Sequence, residues 1–362
     1  MERAKIFSQP GSKWTEGLGP NADIVISSRV RLARNILNLP FPDMLNEEKE
    51  KEILKSIQDI INTSEFKDKV GNFHFISLRE LSGIEKSILV EKHLISPQHA
   101  QSHGYKGTII KEDESVSVMI NEEDHLRIQC LLPAMQLNEA WALANEVDDT
   151  LEQSLDFAFD KDKGYLTSCP TNVGTGMRAS VMLHLPGLVL TRQGYQVFAT
   201  MNQIGLTVRG MYGEGSEALG NLFQISNQVT LGLTEEEIIN HLNSVTLQVV
   251  EQERNARNIL FKEAKDQLED RVWRAYGILS HARIISSQEA MSLLSELRLG
   301  IDMNIIQNID PKVFNVLMVT TQAAFLQQKT EIELLPHLRD VMRASSIRDI
   351  LSKDYGGSSN VK

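Results

Sequence analysis

The chain has 362 residues, with 37 basic and 48 acidic side chains and a formal charge of −11. That length suits about two domains, and a composition of 41% hydrophobic and 23% charged residues excludes a disordered or fibrous chain. A net-acidic chain is a poor general nucleic-acid binder, and two cysteines, Cys130 and Cys169, are too few for a disulfide framework or a four-thiolate zinc site. The N-terminus lacks the apolar core of a signal peptide, and no stretch approaches the about 18 apolar residues of a membrane span. The expectation is a cytoplasmic protein with no membrane and no direct nucleic-acid partner.

Residues 21–45 read as a strand entering a loop, with Ile24-Val25-Ile26 leading into Ser27-Ser28-Arg29-Val30-Arg31. Helical spacing of Ile53, Leu54, Ile57, Ile60 and Ile61 predicts an amphipathic helix over 47–66. Residues 115–131 predict a hairpin turning at Asn121-Glu122-Glu123-Asp124, and a second helix is expected over 136–157. From 164 to 232 the chain is rich in Gly, Val and Thr, with strand and loop character. Thr234 followed by Glu237 is a capping box that opens a long helix, and Ser286 with Glu289 and Asp310-Pro311 mark two further helix starts. The chain closes on a polar Gly356-Gly357-Ser358-Ser359 tail. The fold class is therefore α+β, with a body over 1–255 and a helical module over 256–362.

Charge is distributed unevenly. Between Asp162 and Glu214 there is no acidic residue, where a uniform spread would place about seven, yet Lys163, Arg178, Arg192 and Arg209 are present. Residues 24–42 are also acid-free and hold Arg29, Arg31 and Arg34. A buried sheet excludes acids but does not explain the arginines, so an anion site is the better reading. Arg29 and Arg31 share a face of an extended segment, and two adjacent guanidinium groups invite a phosphate between them. No P-loop motif occurs. Gly174-Thr175-Gly176-Met177-Arg178-Ala179 fits a loose dinucleotide pattern, but the acidic ribose partner expected about 20 residues on is missing. Cys169 and Arg178 are too far apart for a phosphatase loop.

Asn121-Glu122-Glu123-Asp124-His125 ends a strand and carries three successive carboxylates. Alone it is a solvated turn; beside an arginine cluster its acids could reach Mg²⁺ through water, or one could act as a base. These segments, together with Ser27-Ser28-Arg29-Val30-Arg31, Cys169-Pro170-Thr171-Asn172-Val173-Gly174-Thr175-Gly176-Met177-Arg178 and Arg209-Gly210-Met211-Tyr212-Gly213-Glu214, stand in the order found in phosphagen (guanidino) kinases. Residues 223–227 and 231–235 match the end of that catalytic domain. The resemblance covers roughly residues 20–255. Phosphagen kinases carry a helical domain before the first arginine motif, whereas this chain continues in helices after the catalytic domain. Both departures resemble the bacterial protein-arginine kinases, members of the ATP:guanido phosphotransferase family.

The resemblance implies an antiparallel sheet flanked by helices, ATP and Mg²⁺ as cofactors, and phosphoryl transfer to a guanidinium. It implies Glu123 as the base, Glu214 as a second carboxylate clamp, and Glu122 and Asp124 as water-mediated Mg²⁺ contacts. Nucleotide contacts fall to Ser27, Ser28, Arg29, Val30, Arg31, His93, Arg127, the run Arg178, Ala179, Ser180, Val181 and Met182, and the run Arg209, Gly210, Met211, Tyr212, Gly213 and Glu214. Met182 departs from the family, where a histidine is usual. Cys169 sits in a positive neighbourhood that favours thiolate, and the resemblance gives it a substrate-aligning role.

Arg339-Asp340-Val341-Met342-Arg343-Ala344 lies in a predicted helix, where Arg339 and Arg343 share a face. On its own this is a surface helix with an Asp340–Arg343 pair. The protein-arginine kinases carry this motif as an allosteric phosphoarginine site, which implies that Asp340 grips the guanidino group while Arg339 and Arg343 face the phosphate beside Ala344. The family also implies a homodimer, a zinc-finger activator, a Clp protease and a heat-shock repressor as partners. The expected function is a protein-arginine kinase acting on exposed arginines. A small-guanidine kinase and a catalytically idle phosphoarginine reader are its rivals.

Overall fold

The computed structural model describes residues 3–210, 219–330 and 332–356. Its strands are β1 (Val25–Arg34), β2 (Phe73–Ser77), β3 (Gly107–Lys111), β4 (Val116–Ile120), β5 (Leu126–Pro133), β6 (Phe159–Asp160), β7 (Gly164–Tyr165), β8 (Met177–His184), β9 (Leu206–Gly210) and β10 (Leu222–Asn227). Eight of them form one antiparallel sheet in the order β2-β3-β4-β5-β1-β8-β10-β9, while β6 and β7 form a separate small hairpin. The helices of the body are α1 (Arg3–Ser8), α2 (Glu47–Asn62), α3 (Ser64–Val70), α4 (Gly83–Glu91), α5 (Pro97–Gln101), α6 (Leu137–Glu152), α7 (Pro186–Leu190) and α8 (Gly194–Gln203). Then follow α9 (Glu235–Glu263), α10 (Lys265–His281), α11 (Ser287–Asp302), α12 (Lys312–Thr320), α13 (Ala323–Gln328) and α14 (Pro336–Gly356).

Alternation along the strands divides the molecule into two cores, one on each face of the sheet. Val30, Leu32, Val118, Ile128, Cys130, Ala179 and Val181 point to the face covered by the apolar sides of α2, α3, α6 and the first half of α9. Ile76, Ile110, Met119, Leu131, Met182 and Leu222 point to the opposite face. That second face meets Trp14, α4 and the helices that follow α9. The C-terminal module is therefore laid on one side of the sheet, where it covers buried apolar surface.

The predicted elements differ from the structure in instructive ways. The helix expected over 47–66 breaks at Thr63, whose hydroxyl accepts the N–H of Phe66 and caps a new helix, α3. The helix expected over 136–157 ends at Glu152. The hairpin at 121–125 forms between β4 and β5, and the Thr234–Glu237 capping box is complete. α9 runs unbroken through the 255/256 boundary and stops at Ala264. Residues 357–362 lie outside the described residues.

Candidate active site

Strand register explains how distant arginines meet. β1 lies between β5 and β8, with Arg29 opposite Ser180, Arg31 opposite both Gln129 and Arg178, and Ala33 opposite Arg127. On the next pair, Gln224 stands opposite Met182 and Arg209. Directly opposed residues of an antiparallel pair share a face. Arg29, Arg31, Arg127, Arg178 and Arg209 consequently project from one side of the sheet, the side away from the Val30 core. Four of them, Arg29, Arg31, Arg127 and Arg209, line a cavity of about 830 Å³ together with His93, Glu122 and Glu123.

Confined together, these cations stress one another. Burial and Arg127 push Arg29 down to about 10. Burial pushes Arg31 further below the ordinary arginine value, with Arg29, Arg127 and Arg178 adding to it and Glu122 opposing. Arg178 is lowered by burial, by Arg209 and by Arg127, against Cys169 and Glu123. The Nε atoms of Arg31 and Arg178 are buried with no hydrogen-bond partner among the described residues. Arg29 is held by neutral groups, donating from Nη2 to Gln224 at 2.7 Å and from Nε to Ser180 at 3.4 Å. A polyanion relieves all of these strains at once, because each guanidinium would gain an acceptor and lose repulsion.

The three successive carboxylates have three different environments. Glu122 accepts from Arg127 at 2.6 Å and from the Ser96 hydroxyl at 2.5 Å. Burial works to raise its pKa, but Arg127, Ser96 and His99 outweigh it and the net direction is down. Glu123 also meets Arg127, at 2.9 Å, with 43% of its side chain exposed at the cavity mouth. Asp124 is fully buried, and its Oδ1 accepts from Asn35 at 2.6 Å and from the Ser168 N–H at 2.8 Å. Of the two carboxylates expected to reach Mg²⁺, Glu122 faces the cavity and Asp124 does not. Asp124 instead ties down the segment that leads into Cys169.

Cys169 precedes the 3-10 turn Pro170–Asn172, and its Sγ lies 3.0 Å from the Thr171 hydroxyl. Behind it, Thr230 accepts the Thr175 N–H on its carbonyl and donates its hydroxyl to Val173. His93 adopts φ 60° just beyond α4, with its carbonyl accepting from Gln129 and its ring edge-on to Trp14 at 5.4 Å. Burial and Arg29 lower His93 to about 4, so the ring is neutral at physiological pH.

Several expected contacts do not reach the cavity. Val30, Ala179 and Val181 point into the opposite core. Ser28 is buried, donating to Ala134 and accepting from Gln136, and Ser27 is buried beside it. Met182 packs in the second core. Gly210 lines the cavity, whereas Met211, Tyr212, Gly213 and Glu214 lie outside the described residues. In α14 the Arg343 guanidinium is buried, donating to the Thr321 and Ile285 carbonyls at 3.0 Å each and to Asp340. The resemblance has Arg343 facing a phosphate; here its guanidinium is turned onto these carbonyls and holds the helix in place. Arg339 and Asp340 are half-exposed and Ala344 is buried. Gln129 and Gln224 were not anticipated, although Gln129 sits two residues from Arg127 on one strand and alternation alone could have found it. Trp14, Glu91 and Met318 carried no such signal.

An antiparallel sheet presenting five arginines beside exposed and ion-paired carboxylates defines a guanidino-phosphotransferase type of catalytic domain. The family model described as ATP:guanido phosphotransferase, C-terminal catalytic domain, matches residues 52–256, and that of the protein-arginine kinase McsB C-terminal domain matches residues 265–360. A protein-arginine kinase of Moorella thermoacetica is 56% identical over 341 residues, covering 94% of this chain and 97% of that one. Another, from Desulforamulus reducens, is 54% identical, covering 97% and 99%. Among solved structures, the substrate-free duplicated taurocyamine kinase of Schistosoma mansoni superposes with TM-score 0.56 at 24% identity, over 74% of this chain and 41% of that chain. A lombricine kinase gives TM-score 0.54 at 21% identity, over 68% and 72%. The chain belongs to the protein-arginine kinase family.

Proposed function

We propose that the chain transfers the γ-phosphoryl group of ATP to guanidinium nitrogens of arginine side chains in proteins. The observation that carries this reading is the convergence of five arginines on one sheet face, four of them lining a cavity whose mouth holds the exposed carboxylate Glu123. The arginines position the phosphate chain and offset the charge that spreads over its oxygens in a loose transition state. A guanidinium with its ordinary pKa above about 12 is a poor nucleophile until it loses a proton. Glu123 accepts that proton as the N–P bond forms and the bond from γ-phosphorus to the bridging oxygen breaks, leaving ADP. Glu214 serves as the second clamp, and Cys169 beside Arg178 aligns the acceptor. A hydrated Mg²⁺ fits an outer-sphere contact to Glu122, where it would supply charge neutralisation on the phosphates.

Relatives named protein-arginine kinase support an acceptor carried on a polypeptide. On the same reading the chain divides into a catalytic part and a helical part, with 255/256 inside the connecting helix. Arg339 and Asp340, on the partly exposed side of α14, form the recognition edge of a phosphoarginine site that Arg343 braces from below. A homodimer, a zinc-finger activator, a Clp protease that receives the phosphorylated proteins and a heat-shock repressor as substrate complete the proposal. Among the described residues no helix is long and apolar enough to cross a membrane.

Competition tests the acceptor. With Mg·ATP, an unfolded arginine-containing protein should be phosphorylated on arginine in the presence of excess free arginine. Transfer to free arginine alone would make the chain a small-guanidine kinase, and phosphoarginine binding without any transfer would make it a reader.

A further inference from the structure

The helical module does more than cover apolar surface. Met318, Val319 and Gln322 line the same cavity as Arg29, Arg31 and Arg209. The contact is built at two points and braced at a third inside the module. First, α12 packs on the 3-10 turn Lys13–Glu16, whose Trp14 meets His93 and donates its Nε1–H to the Lys92 carbonyl at 3.2 Å. Second, Glu91, the last residue of α4 and itself part of the cavity wall, accepts the N–H groups of Ala324 and Phe325 at 2.7 and 3.1 Å. Third, the Thr321 carbonyl between these points accepts from Arg343 of α14.

A nucleoside triphosphate has two unlike ends, a polyanion and a flat base with hydrogen-bonding edges. The arginines suit the first. Trp14, Val90, Met318 and Val319, with the Gln322 side chain among them, supply the apolar surface and polar rim that suit the second. We infer that the helical module is part of the nucleotide site: Met318, Val319 and Gln322 wall its base-binding end, and Glu91 is the positioning residue that holds them there. The inference rests on the nucleotide reading of the cavity. Burial pushes Glu91 up to about 7 against its two N–H donors, which fits a carboxylate shut between the two modules. Thr321, whose carbonyl accepts from Arg343, sets the Asp340–Arg343 pair one hydrogen bond behind the same wall.

The test uses the intact protein with Mg·ATP as probe. In the wild type, ATP should slow hydrogen exchange at the amides of residues 318–325. Glu91→Ala should weaken ATP binding on the order of tenfold, while Glu91→Gln, which keeps one acceptor oxygen but sets its NH2 against the second N–H, recovers part of the affinity. Gln322→Ala should also change the preference for ATP over GTP, which a purely structural wall would leave alone. The inference is overturned if wild-type protein binds ATP without protecting 318–325 and the variants bind it with wild-type affinity and selectivity. Failure of the wild type to bind ATP at all would defeat the nucleotide reading, and this inference with it.

Discussion

His93 shows how one residue's surroundings set its chemistry. Its ring sits against Trp14, and burial with Arg29 nearby holds it neutral down to about pH 4. Its folded pKa is depressed, so its contribution to stability is complete above the unfolded value of about 6.5 and is lost as pH falls towards 4. In a histidine titration by NMR, the His93 resonances should stay constant from pH 8 to about 5.5 and move near 4. A midpoint near 6.5 would contradict the depression that its desolvation and Arg29 impose. Asp124 makes the complementary point. Its residue type and position marked it as a metal contact, yet its bonds to Asn35 and the Ser168 N–H place it behind the Cys169 segment. Asp124→Ala should lower the rate of transfer through a displaced Cys169 while ATP affinity stays within about twofold; equal loss of ATP affinity would restore its metal role.

At the scale of elements, β1 carries most of what was legible. Its alternation put Arg29 and Arg31 on one face, and the acid-free stretches signalled where the positive field would be; the same alternation sends Val30, expected at the nucleotide, into the core instead. Register was not legible. Nothing local in the sequence says that β1 lies between β5 and β8, the arrangement that brings Arg127 and Arg178 beside Arg31. Arg34 stands in the same acid-free stretch as Arg29 and Arg31, but it is buried and paired with Asp148 at 2.6 Å, donates to the Thr175 carbonyl, and stacks on Tyr165 at 3.4 Å. It secures the 165–175 loop that carries Cys169. Removing Asp148 would strand a buried guanidinium, so Asp148→Ala should destabilise the protein by roughly 3–5 kcal/mol in urea unfolding. A loss below about 1 kcal/mol would show that the pair is solvated.

Across the whole molecule, the arginine-bearing face of the sheet is also the face on which the helical module rests. The sequence separated a mixed body from a helical tail but could not show that they meet over the site, because Met318 and Val319 sit in an ordinary apolar helix pattern. Arg343 belongs to this scale. It ties α14 to the Thr321 and Ile285 carbonyls, and its loss leaves buried acceptors unsatisfied. Arg343→Ala should therefore cost about 1–3 kcal/mol of stability, whereas Arg339→Ala should stay within about 0.5 kcal/mol. Thermal unfolding of the two variants distinguishes brace from recognition edge, and equal stability would return Arg343 to the open role read from its motif.

The most direct measurement compares wild type and Glu123→Gln in the same two assays, ATP binding and acid-free mass spectrometry of an arginine-containing protein after incubation with Mg·ATP. The expected result is phosphoarginine with the wild type, none with Glu123→Gln, and ATP affinity within about threefold for both, since Glu123 lies at the cavity mouth and the arginines remain. Undiminished phosphoarginine from Glu123→Gln would contradict the assignment of the base and with it the chemistry assigned to this site.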